Sequence, residues 1–299
     1  MTPLLILNPG SESGRGRRHW TFWTDALERK GIGCKIAKTR SLEDARALAR
    51  SADGVDTVVA VGGDGTIGAV LTGLHDRSAP RPRMGVLYAG TSPDFCRFHG
   101  IPTAPDKALD TLLAGRSRAV DVAVIRYQAS DGPASACFGC SCNIGLGAGV
   151  AERSNRLRRA MGDRAGTALA VLWTVTTTRP IRLDIEIDTV PIRLDHVNHL
   201  AILKNPWIAS GLRLDIDRTP DDGRLTVVAI TGRTRAGLCR LLPAFYKGSA
   251  IRAPGVFVRS GGRVSVRADT PVAVEFDGDP HGSLPADIAV QPQALDLIA

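Results

Sequence analysis

The sequence predicts a chain of two unlike domains. A doubly wound α/β domain spans residues 1–120, and a β-rich, sandwich-like domain spans 121–285, with a tail, 286–299, that can return to the first. Three observations carry the prediction. Up to about residue 120, short runs rich in branched residues alternate with helical patterns, and such alternation builds a parallel sheet covered on both faces. Beyond that point strand-like runs dominate, broken by three helical stretches. One early run, Asp56-Thr57-Val58-Val59-Ala60-Val61, leads at once into Gly62-Gly63-Asp64-Gly65-Thr66, a glycine-rich turn at the end of a buried strand.

In the first domain the expected strands are 4–8, 34–38, 56–61 and 84–88, each bounded by Gly, Pro or Asn. Trp20, Trp23 and Leu27, at i, i+3 and i+7, put one apolar stripe on a first helix. Ser41-Leu42-Glu43-Asp44 has the form of a capping box and opens a second helix carrying Leu42, Ala45, Leu48 and Ala49. A third helix is expected from Thr66. Pro105 and Gly115 bracket a fourth, with Leu109, Leu112 and Leu113 on its buried side. After about residue 120, strands are expected at 118–127, 137–143, 181–187, 191–195, 199–203, 225–230, 263–267 and 272–276, and a last strand at 286–291 belongs to the tail that can return to the first domain. The helices of the second domain are expected at 148–161, 164–177 and 234–246.

A hydrophobic share of 43% with 23% charged residues is that of a folded globular protein, and no repeat of solenoid period is present. The net charge of +8 favours anionic partners such as nucleotides or an acidic membrane surface. An aromatic content of 5% leaves few stacking platforms for single-stranded nucleic acid, so nucleic acid is not an expected partner. The first apolar run stops at Asn8-Pro9 and has neither the basic region nor the length of a signal peptide. The uncharged stretch 165–178 falls short of the ~20 apolar residues of a membrane span. The expected location is the cytoplasm, with the inner face of the membrane as a peripheral surface; a homodimer is left open. Cys137, Cys140 and Cys142 cluster, while Cys34, Cys96 and Cys239 stand alone. A single Cys-x-x-Cys without a second pair is weak as a zinc pattern, so the cluster reads as buried free thiols in a reducing compartment. His196 and His199, with no third ligand nearby, read as strand or loop residues.

The chemistry is expected at the glycine turn. Glycines without a Cβ let backbone N–H groups approach phosphate oxygens, and the helix that follows adds its positive end. A carboxylate inside such an anion site, Asp64, would repel phosphate unless it binds a divalent cation or accepts a proton; Mg²⁺ bridging it to the phosphates resolves the conflict. Gly63-x-Gly65-x-x-Gly68 also matches a dinucleotide fingerprint, but that fold wants an acidic residue ~20 positions on. The next strand ends instead in Tyr88-Ala89-Gly90-Thr91. No Gly-Lys-Ser/Thr follows, which excludes a Walker A loop.

These residues resemble a known family, the bacterial diacylglycerol kinase-like lipid kinases, related to sphingosine kinases and more distantly to NAD kinases. Gly62 to Thr66 is the shared signature. Leu7-Asn8-Pro9-Gly10-Ser11 is similar to the family's opening Asn-Pro-x-Ser-Gly strand end, and Thr39 stands where the family has a nucleotide-contacting threonine. The run from Gly85 through Thr91 to Phe95, with Gly100-Ile101-Pro102, resembles its second nucleotide motif. Ile144-Gly145-Leu146-Gly147-Ala148 resembles the opening of its second domain. Asp222-Gly223-Arg224-Leu225 resembles a turn that holds a structural Mg²⁺, and Phe276-Asp277-Gly278-Asp279 falls where the family carries Asp-Gly-Glu.

The resemblance implies a two-domain, ATP-dependent kinase that phosphorylates a lipid hydroxyl, with ATP and Mg²⁺ as cofactors and a nucleotide and a lipid as partners. It implies nucleotide contacts from Asn8, Pro9, Gly10, Ser11, Thr39, Gly62, Gly63, Asp64, Gly65, Thr66 and Thr91. Catalytic roles fall to Asp64 and Asp279, and metal ligation to Asp64, to Asp222 and to the carbonyls of Thr219 and Arg224. Three residues depart from the pattern: Pro93 for Asn, Asp279 for Glu and Cys140 for Asn. The alternatives are a small-molecule kinase of the NAD kinase type, whose downstream Asn-Glu pair is missing here, and a nucleotide-binding regulator with weakened catalysis. Arg153, Arg156, Arg158, Arg159 and Arg164, followed by the apolar run 165–175, suggest a basic segment that meets an acidic bilayer.

Overall fold

The computed structural model describes residues 2–11, 17–78, 81–161, 163–208 and 212–299. Its first strands, β1 (Pro3–Leu7), β2 (Lys35–Lys38), β3 (Thr57–Gly62) and β4 (Arg83–Tyr88), pair in parallel in the order β4-β3-β1-β2. Every residue of β1 and of β3 is buried, as expected of strands covered on both faces. Alternate side chains serve the two layers. Leu4, Ile6, Val58, Ala60, Met84 and Val86 pack against α2 (Leu42–Arg50) and α3 (Asp64–His75). Leu5, Leu7, Val59, Val61 and Leu87 pack against α1 (Arg17–Arg29) and α5 (Pro105–Ala114), where Trp23, Leu27 and Leu112 close the layer.

The local signals act as read. Ser41, the N-cap of α2, accepts the N–H of Asp44 at 3.1 Å through its Oγ, and Asp44 Oδ2 accepts the N–H of Arg40, one residue before the cap, at 2.9 Å, a shifted form of the capping box. Pro105 is the first residue of α5, and Gly115 ends it in the left-handed conformation, φ 63. The third helix starts at Asp64 rather than Thr66, with Gly63 as its N-cap. A short helix, α4 (Asp94–His99), follows β4.

The second domain contains β5 (Ser117–Ala129), β6 (Gly132–Phe138), β7 (Ser141–Gly145), α6 (Leu146–Met161), α7 (Asp163–Thr177), β8 (Ile181–Ile187) and β9 (Val190–Leu203). It continues with β10 (Trp207–Ile208), β11 (Leu212–Arg213), β12 (Leu225–Thr231), α8 (Arg235–Tyr246), a 3-10 turn (Ser249–Arg252), β13 (Val256–Gly261), β14 (Arg263–Arg267), β15 (Ala273–Phe276) and β16 (Asp279–Ile298). Phe138, Ile144, Ile185, Leu200, Val227, Val264, Phe276 and Ile288 share its core.

The short strands β10 and β11 and the strand β13 were not expected, and three expected strands differ for reasons the structure shows. The stretch 137–143 is not one strand but two, β6 and β7, broken at Gly139–Cys140. There the Asp277 carboxylate takes the N–H groups of Gly139, Cys140 and Ser141, and a Cβ on Gly139 would stand 2.5 Å from the Phe95 ring. Residues 191–195 and 199–203 form one strand, β9, bent at His196 (φ 54); its first half pairs with β8 and its second with β7 and β12. The final strand is 20 residues long rather than the six of 286–291. β16 runs along β15, β14 and β5 and then reaches β4, where Leu297 pairs with Met84 in parallel. One hydrogen-bonded path, β13-β12-β9-β7-β15-β16-β4-β3-β1-β2, therefore crosses both domains.

Candidate active site

The glycine turn lies at the carboxyl edge of the parallel strands, where open α/β sheets place their ligands. Its glycines are set by close approach as well as by any ligand. A Cβ on Gly62 would fall 2.4 Å from Thr66 Oγ1, and one on Gly65 would fall 2.4 Å from Asp279 Oδ2. A Cβ on Gly90, after β4, would come 2.5 Å from the Gly63 Cα. Thr66 Oγ1 accepts the Asn8 side-chain amide at 2.8 Å, and Asn8 Oδ1 accepts the Gly10 N–H at 2.9 Å. Ser11 Oγ donates to the Asn8 carbonyl, and the Thr39 N–H donates to Leu7. The residues after β1, β2, β3 and β4, from Asn8–Ser11 through Thr39 and Gly62–Thr66 to Thr91, thus stand along one edge of the sheet.

Asp64 points its carboxylate at the start of α4. Burial raises its pKa well above the ordinary value, the nearby Asp277 and Asp94 carboxylates add to this, and the N–H groups of Asp94 and Phe95 oppose it. Its Oδ1 is buried without a hydrogen-bond partner. A buried carboxylate oxygen with two other carboxylates nearby suits a divalent cation, so the chemistry of Asp64 fits such an ion. Asp94 itself is held by Ser92 Oγ at 3.0 Å and Arg97 at 2.9 Å.

The opposite wall of the site is the turn between β15 and β16. Asp277, at φ 51, accepts Gly139 N–H at 2.7 Å and Cys140 N–H at 2.8 Å; burial still lifts its pKa to about 6. Glu275, one residue before Phe276, is buried and bonds Asn143 Nδ2 at 2.7 Å and Gly278 N–H at 2.5 Å, and burial lifts it to about 8. Asp279 Oδ2 stands close against Gly65, and the two residues line a cavity of about 80 Å³ with Leu42, Gly68, Tyr127 and His281. His281 stacks on Phe276 at 3.6 Å between ring centroids, and burial lowers its pKa to about 4, leaving it neutral at pH 7.

Glu275 and His281 were not singled out by sequence reasoning. An acid between Val274 and Phe276 in an apolar strand was the available signal for Glu275. His199, read as structural, accepts the Gly147 N–H at 3.2 Å, and burial lowers its pKa to about 4.

The residues expected around Asp222 form a different arrangement. Thr219 and Arg224 donate their N–H groups to the Asp222 carboxylate at 3.2 and 3.0 Å, and Arg218 adds a guanidinium contact at 3.1 Å. The Lys204 ammonium stands 3.6 Å from Asp222 Oδ1. This set does not fit a Mg²⁺ ion. Among the described residues, no group of three or more His, Cys, Asp or Glu is arranged to hold a metal. Of the basic residues in α6 and α7, Arg153 bonds Thr174 Oγ1 at 3.0 Å and lies over the Trp173 ring. The side chains of Arg156, Arg158, Arg159 and Arg164 lie outside the described set.

A glycine turn at the carboxyl edge of a doubly wound sheet, facing carboxylates from a β-sandwich-like domain, defines a two-domain protein of the lipid kinase and NAD kinase class. The chain belongs to the diacylglycerol kinase family: the model described as diacylglycerol kinase catalytic domain matches residues 2–125, and that described as YegS C-terminal NAD kinase beta sandwich-like domain matches 140–299. It is 27% identical over 275 residues to a curated "Diacylglycerol kinase" of Mycobacterium tuberculosis, covering 91% of this chain and 86% of that one. It is 28% identical over 298 residues to "Probable lipid kinase YegS" of Salmonella typhimurium, covering 98% and 94%. A solved diacylglycerol kinase from Bacillus anthracis superposes with a TM-score of 0.69 at 18% identity, over 99% of this chain and 96% of that one. Yeast NADH kinase superposes at 0.53 and 11%, over 99% and 82%. These two likenesses speak for the fold.

Proposed function

We propose that the protein transfers the γ-phosphate of ATP to a hydroxyl group of a lipid such as diacylglycerol. The observation that carries this reading is the placement of Asp279 against Gly65: a carboxylate of the second domain touches the start of α3, and both line a small cavity. In this reading the N–H groups of the glycine turn and the α3 N-terminus hold the phosphates, with Asn8, Ser11, Thr39 and Thr91 along the same edge. Asp64 would hold the Mg²⁺ that accompanies ATP, and that ion would supply charge neutralisation on the transferred group. Asp279 accepts the acceptor's hydroxyl proton.

Its neighbours support that role. Glu275, raised to about 8, is uncharged at pH 7 and adds no full negative charge beside Asp279. Asp277 anchors the turn through three N–H groups and so fixes where Asp279 stands. Phosphoryl transfer depends mostly on positioning and charge neutralisation, so a base one methylene shorter than Glu is sufficient if well placed. The cavity that Asp279 and Gly65 line together is where the acceptor hydroxyl would enter, while acyl chains would remain outside it. The α6–α7 hairpin, with Leu169 and Trp173 exposed, is the surface offered to the bilayer.

Radiolabelled ATP with Mg²⁺, incubated with total lipid extract and separately with NAD, tests the reading. Label in the organic phase supports it. Label in NAD, or nucleotide binding without transfer to either, overturns it.

A further inference from the structure

The Asp222 turn carries an internal cation. Lys204, at the end of β9, is 3% exposed, and its Nζ lies 3.6 Å from Asp121 Oδ2, 3.6 Å from Asp222 Oδ1 and 3.4 Å from the Pro220 carbonyl. Three oxygens around one buried point, two of them carboxylate oxygens, make the donor set that a hard divalent cation would seek. We propose that the Lys204 ammonium replaces a structural metal ion here, so that the junction built on Asp121, Lys204 and Asp222 holds together without metal.

Charge and space both favour this. Asp121 and Asp222 bring two negative charges, and Lys204 and Arg218 bring two positive ones, so the cluster is neutral as it stands. A Mg²⁺ ion wants oxygens at about 2.0–2.1 Å in an octahedron, and it would have to sit where the ammonium is, adding two uncompensated charges in a nearly closed site. The lone pairs of Asp222 are already engaged: Oδ1 by Arg224 N–H and Lys204, Oδ2 by Thr219 N–H and Arg218. Burial pulls the Lys204 pKa down while Asp222 and Asp121 hold it up, which is the balance expected of an ammonium paired on two sides.

The cluster has reach beyond its own turn. Asp121 Oδ2 accepts the Gly223 N–H at 2.7 Å and Oδ1 accepts that of Gln293 at 3.0 Å, tying β5 to this turn and to β16. The Lys204 N–H donates to Cys140 O at 2.9 Å, and Asn205 Nδ2 donates to Gly139 O at 3.2 Å. Those two residues form the turn that grips Asp277. The backbone of Lys204 and the side chain of Asn205 thus join the cluster to the wall that presents Asp279. The inference concerns the junction alone and stands whether or not the proposed reaction does.

Mn²⁺ titration by electron paramagnetic resonance and thermal denaturation, both without nucleotide, test it on the full chain. The unmodified protein should show the same Tm in EDTA as in millimolar MgCl₂, and any Mn²⁺ it binds should persist in Asp222→Asn. Lys204→Ala should lose stability, gain one Mn²⁺ that Asp222→Asn then removes, and recover part of its Tm in Mg²⁺ or Mn²⁺. A Lys204→Ala protein that folds but gains no Mn²⁺ would overturn the replacement. If that variant does not fold, the unmodified protein still decides. Mn²⁺ bound there and lost in Asp222→Asn, with a Tm that falls in EDTA, would place a metal where the structure assigns the lysine.

Discussion

Gly65→Ala isolates the contact on which the catalytic reading rests. The new Cβ would lie 2.4 Å from Asp279 Oδ2 and 3.5 Å from Leu42 Cδ1, whereas ordinary contact begins near 3.4 Å. Leu42 can stay, and the carboxylate must withdraw by about 1 Å. A displacement of that size costs about 10²-fold in a positioned reaction, or about 2.7 kcal/mol of transition-state stabilisation. Ala is the better helix former by up to about 1 kcal/mol, and Gly65 does not need a positive φ, so the fold should survive. The backbone N–H is retained, so nucleotide affinity should change little. The assay is steady-state transfer of labelled phosphate to lipid in mixed micelles, beside direct nucleotide titration. Made in an Asp279→Asn background, the same change should cost almost nothing, since residues acting through one contact are not additive. A folded Gly65→Ala protein with unmodified kcat would refute the placement of Asp279 as the base.

Three further outcomes follow from the same geometry. Glu275 has a folded pKa of about 8 against an ordinary 4.5, so its contribution to stability is greatest below pH 4.5 and is lost as pH rises toward 8. Urea denaturation should show stability falling from pH 6 to pH 8.5, and Glu275→Gln should flatten that slope; an equal slope in both proteins would contradict it. Cys239 is exposed while Cys137, Cys140 and Cys142 are buried with raised pKa values, so a thiol reagent should label Cys239 in the native protein and those three only after unfolding. If α6 and α7 dock on an acidic bilayer, vesicle sedimentation should rise with anionic lipid and fall with salt; equal binding to neutral vesicles in high salt would contradict an electrostatic dock.

The first domain was legible because its signals are local. Val58 to Val61 are apolar on both faces and can only be a covered strand, and Ser41 with Asp44, or Pro105 with Gly115, mark helix ends through contacts within a few residues. The second domain resisted where long-range contacts override local pattern. Residues 137–143 look like one strand, yet Asp277, more than 130 positions away, breaks them by taking three N–H groups. β16 reads as a six-residue strand because its remaining pairings, with β15, β5 and β4, follow from the closing of both domains.

The site divides in the same way. The glycine turn announces itself, but its glycines were read as a phosphate cradle only, and the structure adds that Gly62 and Gly65 leave room for Thr66 and Asp279. The Lys204 cluster was invisible, since no spacing rule joins Asp121, Lys204 and Asp222. The metal reading of that turn did not anticipate the lysine, because a motif names residue types along the chain and does not say which distant side chain fills the space beside Asp222.

The central claim is that Asp279 takes the proton from a lipid hydroxyl at the glycine turn, and Asp279→Asn tests it most directly, since volume is kept and only the proton acceptor is removed. Rates of labelled phosphate transfer to lipid should fall by about 10²–10⁴, with ATP affinity nearly unchanged and Asp279→Glu retaining measurable turnover. Transfer by Asp279→Asn at the unmodified rate would contradict the account and move the base to another carboxylate of the site.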